Sequence, residues 1–209
     1  MILSNVHNMF HQKCTVATSM IRISNIFFDN NVNYNNYNYT SDIHTCVING
    51  AFLIIFKAFE EFLEKSFICY MLGQQGINNN SFVRYVNPIS EEHAFNILKG
   101  FYKYPDFTNR EAIITLANNF FDNGGSYTIL QNFNKIFEDI KKIRNAITHI
   151  SKDSDDKFKN MVRSELGALP QGCNTATFLN TLEINSNQQY IIFYRDHMKI
   201  VVDRIANPT

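Results

Sequence analysis

The stretch with the clearest chemical potential in this 209-residue chain is residues 143–149, Ile-Arg-Asn-Ala-Ile-Thr-His. It places a guanidinium, Arg144, and an imidazole, His149, four intervening residues apart, with Asn145 directly after the arginine. An imidazole has an ordinary pKa of about 6.5 and exchanges protons at neutral pH. A guanidinium stays charged and grips a carboxylate or a phosphate through two parallel hydrogen bonds. These residue types suit proton transfer beside a bound anion.

A long helix over about residues 126–150 is predicted to carry these side chains, because apolar residues recur on one face at Phe133, Phe137, Ile140 and Ile147. At about 100° per residue, Asn145 and His149 lie one turn apart, opposite that apolar face, while Arg144 projects from near it. We therefore expect His149 to face solvent or a partner and Arg144 to face the core. A guanidinium cannot be buried alone, so Arg144 needs a carboxylate, a phosphate or a route to water.

A second helix, predicted over about residues 43–72, offers the carboxylate. It ends before Gly73, the residue expected at a helix stop, and its apolar stripe consists of Phe52, Phe56, Phe59, Leu63 and Tyr70. The segment is apolar nearly all round, so we expect it to be central. Glu60 lies at the edge of the stripe and is the acid most expected to be half-buried.

The rest of the chain also has helical periodicity, and clean alternation is nearly absent, so the predicted fold class is all-α. A first helix bears Ile2, Val6, Met9, Val16, Met20, Ile23 and Phe27, with a break near Lys13, and a loop follows over 29–42. Further helices are predicted from the Ser90 cap to Tyr104, from a capping box at 108–111 to the turn at 123–125, over 155–166, and over about 186–206 with Ser186 and Gln189 as caps. Residues 82–89 remain unassigned, since Pro88 argues against a central strand.

The composition limits the classes of protein to which this chain can belong. The chain is 45% hydrophobic and long enough for a single domain over residues 1–209. Lysine plus arginine equals aspartate plus glutamate at 19 each, so no global field attracts nucleic acid. No apolar run is long enough for a membrane span or a signal peptide, which predicts a cytoplasmic protein. The four cysteines have no metal-ligand spacing, so we expect buried free thiols, no zinc site and no cofactor.

The stretch Arg144-Asn145-x-x-x-His149 resembles the R-x(4–6)-H signature of the HEPN superfamily, which often takes the form R-N-x-x-x-H. Residues 58–65, Ala-Phe-Glu-Glu-Phe-Leu-Glu-Lys, resemble the apolar-Glu-apolar helix that precedes it in bacterial branches such as the RiboL-PSP type. The order of the two helices also agrees. The likeness covers roughly residues 43–72 and 133–151, whereas residues 82–121 and 171–184 have no counterpart.

This resemblance implies a HEPN-like helical bundle with a helical insertion between the glutamate helix and the Arg/His helix. It also implies a homodimer in which two Arg/His helices face each other, and metal-independent endoribonuclease activity of the toxin–antitoxin or phage-defence kind. RNA would be the substrate, and an antitoxin protein a possible partner. In the implied site, His149 is the acid/base, Arg144 contacts the phosphate, Asn145 orients the imidazole or the substrate, and Glu60 holds Arg144.

The same residues also have simpler interpretations than a nuclease site. One alternative is a non-catalytic HEPN-like module that binds a nucleotide or dimerises, and another is a purely structural helical protein. His149 is then a surface histidine favoured by the helix dipole, and Arg144 joins two helices through an ion pair. Asn145 is an accident of an asparagine-rich chain, and Glu60 an ordinary boundary residue. The pair Lys141-Lys142 is either a solvated face or a phosphate attractor.

Overall fold

A computed structural model describes residues 1–31, 33–34, 37–101 and 106–209 of the chain. Over these residues the fold is all-α, as predicted, and none of the helices is long and apolar enough to cross a membrane. The α-helices, in chain order, are α1 Leu3–Asp29, α2 Ser41–Met71, α3 Glu91–Phe101, α4 Arg110–Phe120, α5 Asn134–Thr148, α6 Lys152–Leu166, α7 Thr175–Asn180 and α8 Tyr190–Ala206. A 3₁₀ segment, Asp122–Phe133, precedes α5. In the predicted loop over 29–42, β1 Asn33–Tyr34 pairs antiparallel with β2 Tyr37–Asn38.

Helix α1 differs from its prediction in two respects. It continues through Lys13 without a break, because an exposed lysine is a good helix former. Its buried face consists of Leu3, Val6, Phe10, Cys14, Ala17 and Ile21. Of the predicted stripe only Val6 is buried, whereas Ile2, Met9, Val16, Ile23 and Phe27 are exposed. The helix has two apolar faces, and periodicity alone does not tell which of them is covered.

Helix α2 agrees closely with its prediction. All five residues of its predicted stripe are buried. The helix stops at Gly73, which adopts a φ of +82°, a value that favours glycine. The Gly73 amide donates to the Tyr70 carbonyl at 2.9 Å and the Gln74 amide to the Cys69 carbonyl at 3.1 Å. These bonds satisfy carbonyls that the end of the helix leaves open.

Two helices, α3 and α4, occupy the predicted insertion between α2 and α5. The Ser90 hydroxyl accepts the His93 amide at 3.1 Å, which confirms the predicted cap of α3. The predicted end of this helix, at Tyr104 and Pro105, lies outside the described residues. The capping box at 108–111 is wrong in detail, because Asn109 caps α4 instead of Thr108, whose hydroxyl donates to Asp106.

The Arg/His helix is shorter than predicted. Residues 126–133 belong to the 3₁₀ segment, and α-helical structure begins only at Asn134. Asn123, Gly124 and Gly125 all have positive φ, and glycine and β-branched residues lower the helix propensity of this stretch. A Cβ on Gly125 would lie 2.7 Å from the Phe82 ring, so the turn requires glycine there. The periodicity of the apolar residues is present, but the backbone winds more tightly.

The last three helices also start at positions that local chemistry selects. Helix α6 begins three residues earlier than predicted, because the Ser151 hydroxyl accepts the Ser154 amide at 3.2 Å. Helix α8 begins at Tyr190 rather than near Ser186, whose hydroxyl accepts only the Gln188 amide at 3.4 Å. Helix α7 lies in the segment for which no helix was predicted.

The chain groups into two compact units. The first unit contains residues 1–11, 58–137 and 197–209, and the second contains 12–57 and 138–196. The single domain over 1–209 stays a prediction. In the first unit, Phe67 is fully buried among four aromatic rings. Their centroids lie 5.8 Å away for Phe107, 6.0 Å for Phe120, 4.9 Å for Phe121 and 5.1 Å for Tyr127.

The core of the second unit is also aromatic. Phe178 lies between Phe158, at 5.9 Å, and Tyr190, on which it stacks at 4.4 Å. All three rings are buried. The Thr175 hydroxyl, at the start of α7, donates to the Asn49 side chain of α2 at 2.8 Å. Apolar packing and this bond hold α7 within the unit.

The cysteines are free thiols, as predicted, but only two of the four are buried. Cys14 and Cys69 lie in the interior, Cys46 is exposed and Cys173 is half-buried. Burial raises the pKa of Cys69 to about 11, and it also raises the pKa of Cys173. Cys46 is the thiol that solvent reaches most readily.

A polar network in the second unit centres on His44. The Asn180 amide group lies 2.9 Å from His44 Nε2, and Ser24 Oγ lies 2.8 Å from Nδ1. The ring also stacks on Phe28 at a centroid distance of 4.4 Å. An amide nitrogen donates, so Nε2 accepts and the neutral ring carries its proton on Nδ1. Burial lowers the pKa of His44 from its ordinary value, against the opposing effects of Ser24 and Asp29.

This lowered pKa predicts a stability that falls in acid. The unfolded chain binds the His44 proton more readily, so the stabilisation is complete above about pH 6.5 and declines as the pH falls from there through the lower folded-state pKa. Protonation of His44 removes its hydrogen bond with Asn180, and such a bond stabilises the fold by about 0.5–1.5 kcal/mol. Urea unfolding at several pH values should show a shallower decline for His44→Gln than for the wild type. Equal slopes for the two proteins would contradict the assignment.

Candidate functional site

The carboxyl end of α5 brings three of the predicted site residues together. Helix α5 ends at Thr148, and the His149 amide still donates to the Asn145 carbonyl at 2.9 Å, which continues the helical pattern by one residue. Arg144 Nη1 donates to Asn145 Oδ1 at 2.9 Å and lies 3.4 Å from His149 Nε2. One guanidinium therefore contacts both the amide and the imidazole.

Arg144 has the half-buried position that its helical register predicts. Its guanidinium carbon lies 5.9 Å from the centroid of the Phe56 ring, which belongs to α2 and is buried. A cation over an aromatic face within about 6 Å is attracted by the ring. His149 is exposed, also as predicted. The arginine is thus supported from the interior while the histidine meets solvent.

The protons of this cluster follow from the chemistry of arginine. A guanidinium is a donor only, so Asn145 Oδ1 and His149 Nε2 both accept from it. The imidazole that accepts at Nε2 is neutral and carries its proton on Nδ1. The Nε2 lone pair of His149 therefore faces Arg144.

A groove of about 240 Å³ adjoins the cluster in the second unit. Its lining residues are Glu138, Lys141, Lys142, Asn145, Asp153, Ser154 and Lys157. Lys142 Nζ lies 3.7 Å from a Glu138 oxygen, and Lys157 Nζ lies 2.7 Å from an Asp153 oxygen. Lys142 Nζ also lies 3.7 Å from an Asp139 oxygen, so the cations of the groove are largely compensated.

Glu60 is half-buried on α2, which confirms the expectation for its exposure. It belongs to the first unit, whereas Arg144, Asn145 and His149 belong to the second. The predicted contact between Glu60 and Arg144 stays a prediction.

Two contributors to this site were not found from the sequence. Phe56 belongs to the predicted apolar stripe of α2, but nothing in the sequence pairs it with Arg144, 88 positions later. Lys157 lies on α6 and meets the groove only because the chain reverses after His149. The polar residues that follow the motif, Ser-Lys-Asp-Ser at 151–154, were the available signal for that reversal.

The cluster is suited to an anion rather than to a cation, since the fixed charge of Arg144 repels a metal ion from the nearby imidazole.

Comparison of the chain with models of protein families, with curated proteins and with solved structures finds no match. The contacts among Arg144, Asn145 and His149 are the ground from which a function is inferred.

Proposed function

We propose that this protein is a metal-independent endoribonuclease of the HEPN type. Arg144 binds the phosphate of the scissile linkage, and His149 transfers the protons. The observation that carries the proposal is the approach of Arg144 Nη1 to within 3.4 Å of His149 Nε2 at an exposed helix end. A phosphate held by the guanidinium would lie within reach of the imidazole.

The reaction needs three groups. A base removes the proton of the ribose 2′-hydroxyl, whose oxygen attacks phosphorus, while a cation stabilises the charge on the phosphorane. The bond from phosphorus to the 5′-oxygen breaks, and an acid protonates that oxygen. The products are a 2′,3′-cyclic phosphate and a 5′-hydroxyl end. The neutral imidazole of His149 supplies the base, and Arg144 supplies the cation.

Substrate binding would expose the base. In the free protein the Nε2 lone pair of His149 accepts from Arg144. A phosphate is a stronger acceptor than a neutral imidazole, so the guanidinium turns toward it. That movement releases Nε2 to take the 2′-hydroxyl proton. Asn145 keeps its contact with the guanidinium and holds it at the cluster.

A homodimer completes the proposed site, because one imidazole does not act as base and acid in the same step. The His149 of a second copy donates the proton to the leaving oxygen. Ile150 follows His149 directly and is fully exposed, so its side chain would lie at the contact with that copy. An antitoxin that covers this end of α5 would block the reaction, which accords with the toxin or phage-defence role that the resemblance implies.

The compensated lysines of the groove bear on the RNA that is cleaved. Affinity for RNA rises with the number of phosphates that a protein neutralises. The net charge of the chain is zero, and the groove has one lysine more than it has carboxylates. The substrate is therefore selected by shape or sequence rather than by charge.

Arginine variants test the proposal. The wild type should cleave total RNA in the presence of a chelator, and Arg144→Ala should lower the rate about 100- to 1000-fold because the phosphorane loses its cation. Arg144→Lys should recover little, since an ammonium lacks the two-pronged geometry of a guanidinium. Gel analysis of RNA fragments with 2′,3′-cyclic phosphate ends measures the rate.

Arg163 provides the matched control. It is exposed on α6 and also donates to a neighbouring asparagine, Asn160, at 2.7 Å. Arg163→Ala should cleave as the wild type does. Equal cleavage by the wild type and Arg144→Ala would reject the assignment. If no protein cleaves but a nucleotide raises the melting temperature of the wild type alone, the chain is the non-catalytic binding module.

A further inference from the structure

A second polar cluster lies in the first unit and contains none of the residues proposed for RNA cleavage. His7 and His11 are one turn apart on α1, and Asp203 lies on α8. Asp203 Oδ1 lies 2.7 Å from His7 Nε2 and 2.8 Å from His11 Nε2. The two Nε2 atoms are 3.1 Å apart. Three atoms that are ordinary metal ligands thus converge on one point.

The size of this triangle fits a transition-metal ion. Zinc binds imidazole nitrogen and carboxylate oxygen at about 2.0–2.1 Å, so neighbouring ligands of a tetrahedral ion lie about 3.3 Å apart. The observed separations of 2.7, 2.8 and 3.1 Å are shorter than this by about 0.2–0.6 Å. Rotation of the side chains that moves these atoms apart by this amount would admit the ion.

Hydrogen bonds alone do not satisfy the three polar atoms of this cluster. If both histidines carry their proton on Nε2, two donors lie 3.1 Å apart and share one acceptor oxygen. If one of them carries it on Nδ1, its Nε2 lone pair faces a carboxylate oxygen at less than 3 Å. A cation removes both conflicts, because three lone pairs then point at one positive charge.

The surroundings leave one side of the cluster open. The His7 and His11 side chains are 19% and 29% exposed, and Asp203 is 48% exposed. A fourth position is therefore available to water. On the inner side, the buried Phe10 ring lies edge-on to the His11 ring at 5.4 Å. The Asn207 side chain donates to the Asp203 carbonyl at 2.8 Å, and this bond stabilises the end of α8 next to Asp203.

We propose that His7, His11 and Asp203 form a binding site for a divalent transition-metal ion with the preferences of zinc. Two imidazoles and one carboxylate suit zinc, whereas magnesium and calcium prefer oxygen ligands alone. Asp203 is 192 positions from His11 and 196 positions from His7 in the chain. An ion at this site ties the start of α1 to α8 and stabilises the folded unit, because the unfolded chain does not hold the three ligands together.

Titration of the untagged, chelator-treated protein with zinc chloride tests the site. Calorimetry should give one ion per chain, and the melting temperature should rise with zinc concentration. Cobalt chloride should produce the visible absorption of a four- or five-coordinate ion. Asp203→Asn and His11→Gln each remove one strong ligand, and each should weaken zinc binding by at least about 100-fold.

His93 supplies the matched control, because it is an exposed histidine of the same unit and is not part of the cluster. His93→Gln should bind zinc as the wild type does. Circular dichroism of each variant verifies the fold before titration. The proposal is overturned if the wild type takes up no zinc, or if both ligand variants bind it as tightly as the wild type. Cleavage of RNA is not the readout, so the result is independent of the proposed nuclease.

Discussion

Substitution of His149 by alanine is expected to lower the rate of RNA cleavage about 100- to 10,000-fold, the range over which general acid–base catalysis contributes. In the proposed mechanism, the variant lacks the base that accepts the 2′-hydroxyl proton and, in the proposed dimer, the acid that protonates the leaving oxygen. Single-turnover cleavage of a labelled RNA at saturating protein measures the chemical step directly. Substrate affinity should change little, because Arg144 remains.

The fold of this variant should be intact. His149 is exposed after the last turn of α5, and exposed substitutions away from caps and cores usually change the free energy of unfolding by less than about 0.5 kcal/mol. His93→Ala changes another exposed histidine, on α3, and this control should cleave normally. A His149→Ala protein that is folded and cleaves at the wild-type rate would remove histidine from the mechanism.

Phe67→Ala is expected to lower the free energy of unfolding by about 3–5 kcal/mol, which is typical of phenylalanine removed from a core. The ring is fully buried, and four aromatic rings surround it within 6.0 Å. Those rings belong to α4, to the 3₁₀ segment and to the residues flanking them, so they cannot all move into the space left behind. Urea unfolding followed by circular dichroism measures the loss.

Phe27→Ala is the comparison for this prediction. Phe27 is 40% exposed on α1 and contacts the Tyr39 ring at a centroid distance of 5.7 Å. The substitution removes the same atoms, but less of their surface is buried in the folded protein. The decrease in the free energy of unfolding should therefore be clearly smaller. A Phe67→Ala protein as stable as Phe27→Ala would mean that the aromatic cluster is not the core of the first unit.

Local signals predicted several elements well. The stop at Gly73 and the cap at Ser90 each depend on residues within one turn of the helix end, and both are confirmed. The buried face of α1 was predicted wrongly because two apolar stripes compete there, and only tertiary packing selects one. The start of α5 was placed too early because apolar spacing does not distinguish an α-helix from the tighter 3₁₀ winding.

The same limit applies to the sites. Asn145 and His149 are one helical turn apart, so the sequence alone placed them together, and the structure adds the contact of each with Arg144. The histidine pair His7 and His11 also has one-turn spacing, but no site was predicted there. Its third member, Asp203, is 192 positions from His11, and no local pattern joins them. Phe56 beneath Arg144 is hidden for the same reason.

The unequal burial of the thiols gives the chain a built-in attachment point. Maleimides and methanethiosulfonates react with thiolates that solvent can reach, and Cys46 meets that condition better than its three counterparts. A nitroxide on Cys46 would report the distance between the two copies of the proposed dimer by dipolar electron resonance. Labelling of Cys46 therefore offers a direct test of whether the proposed dimer forms.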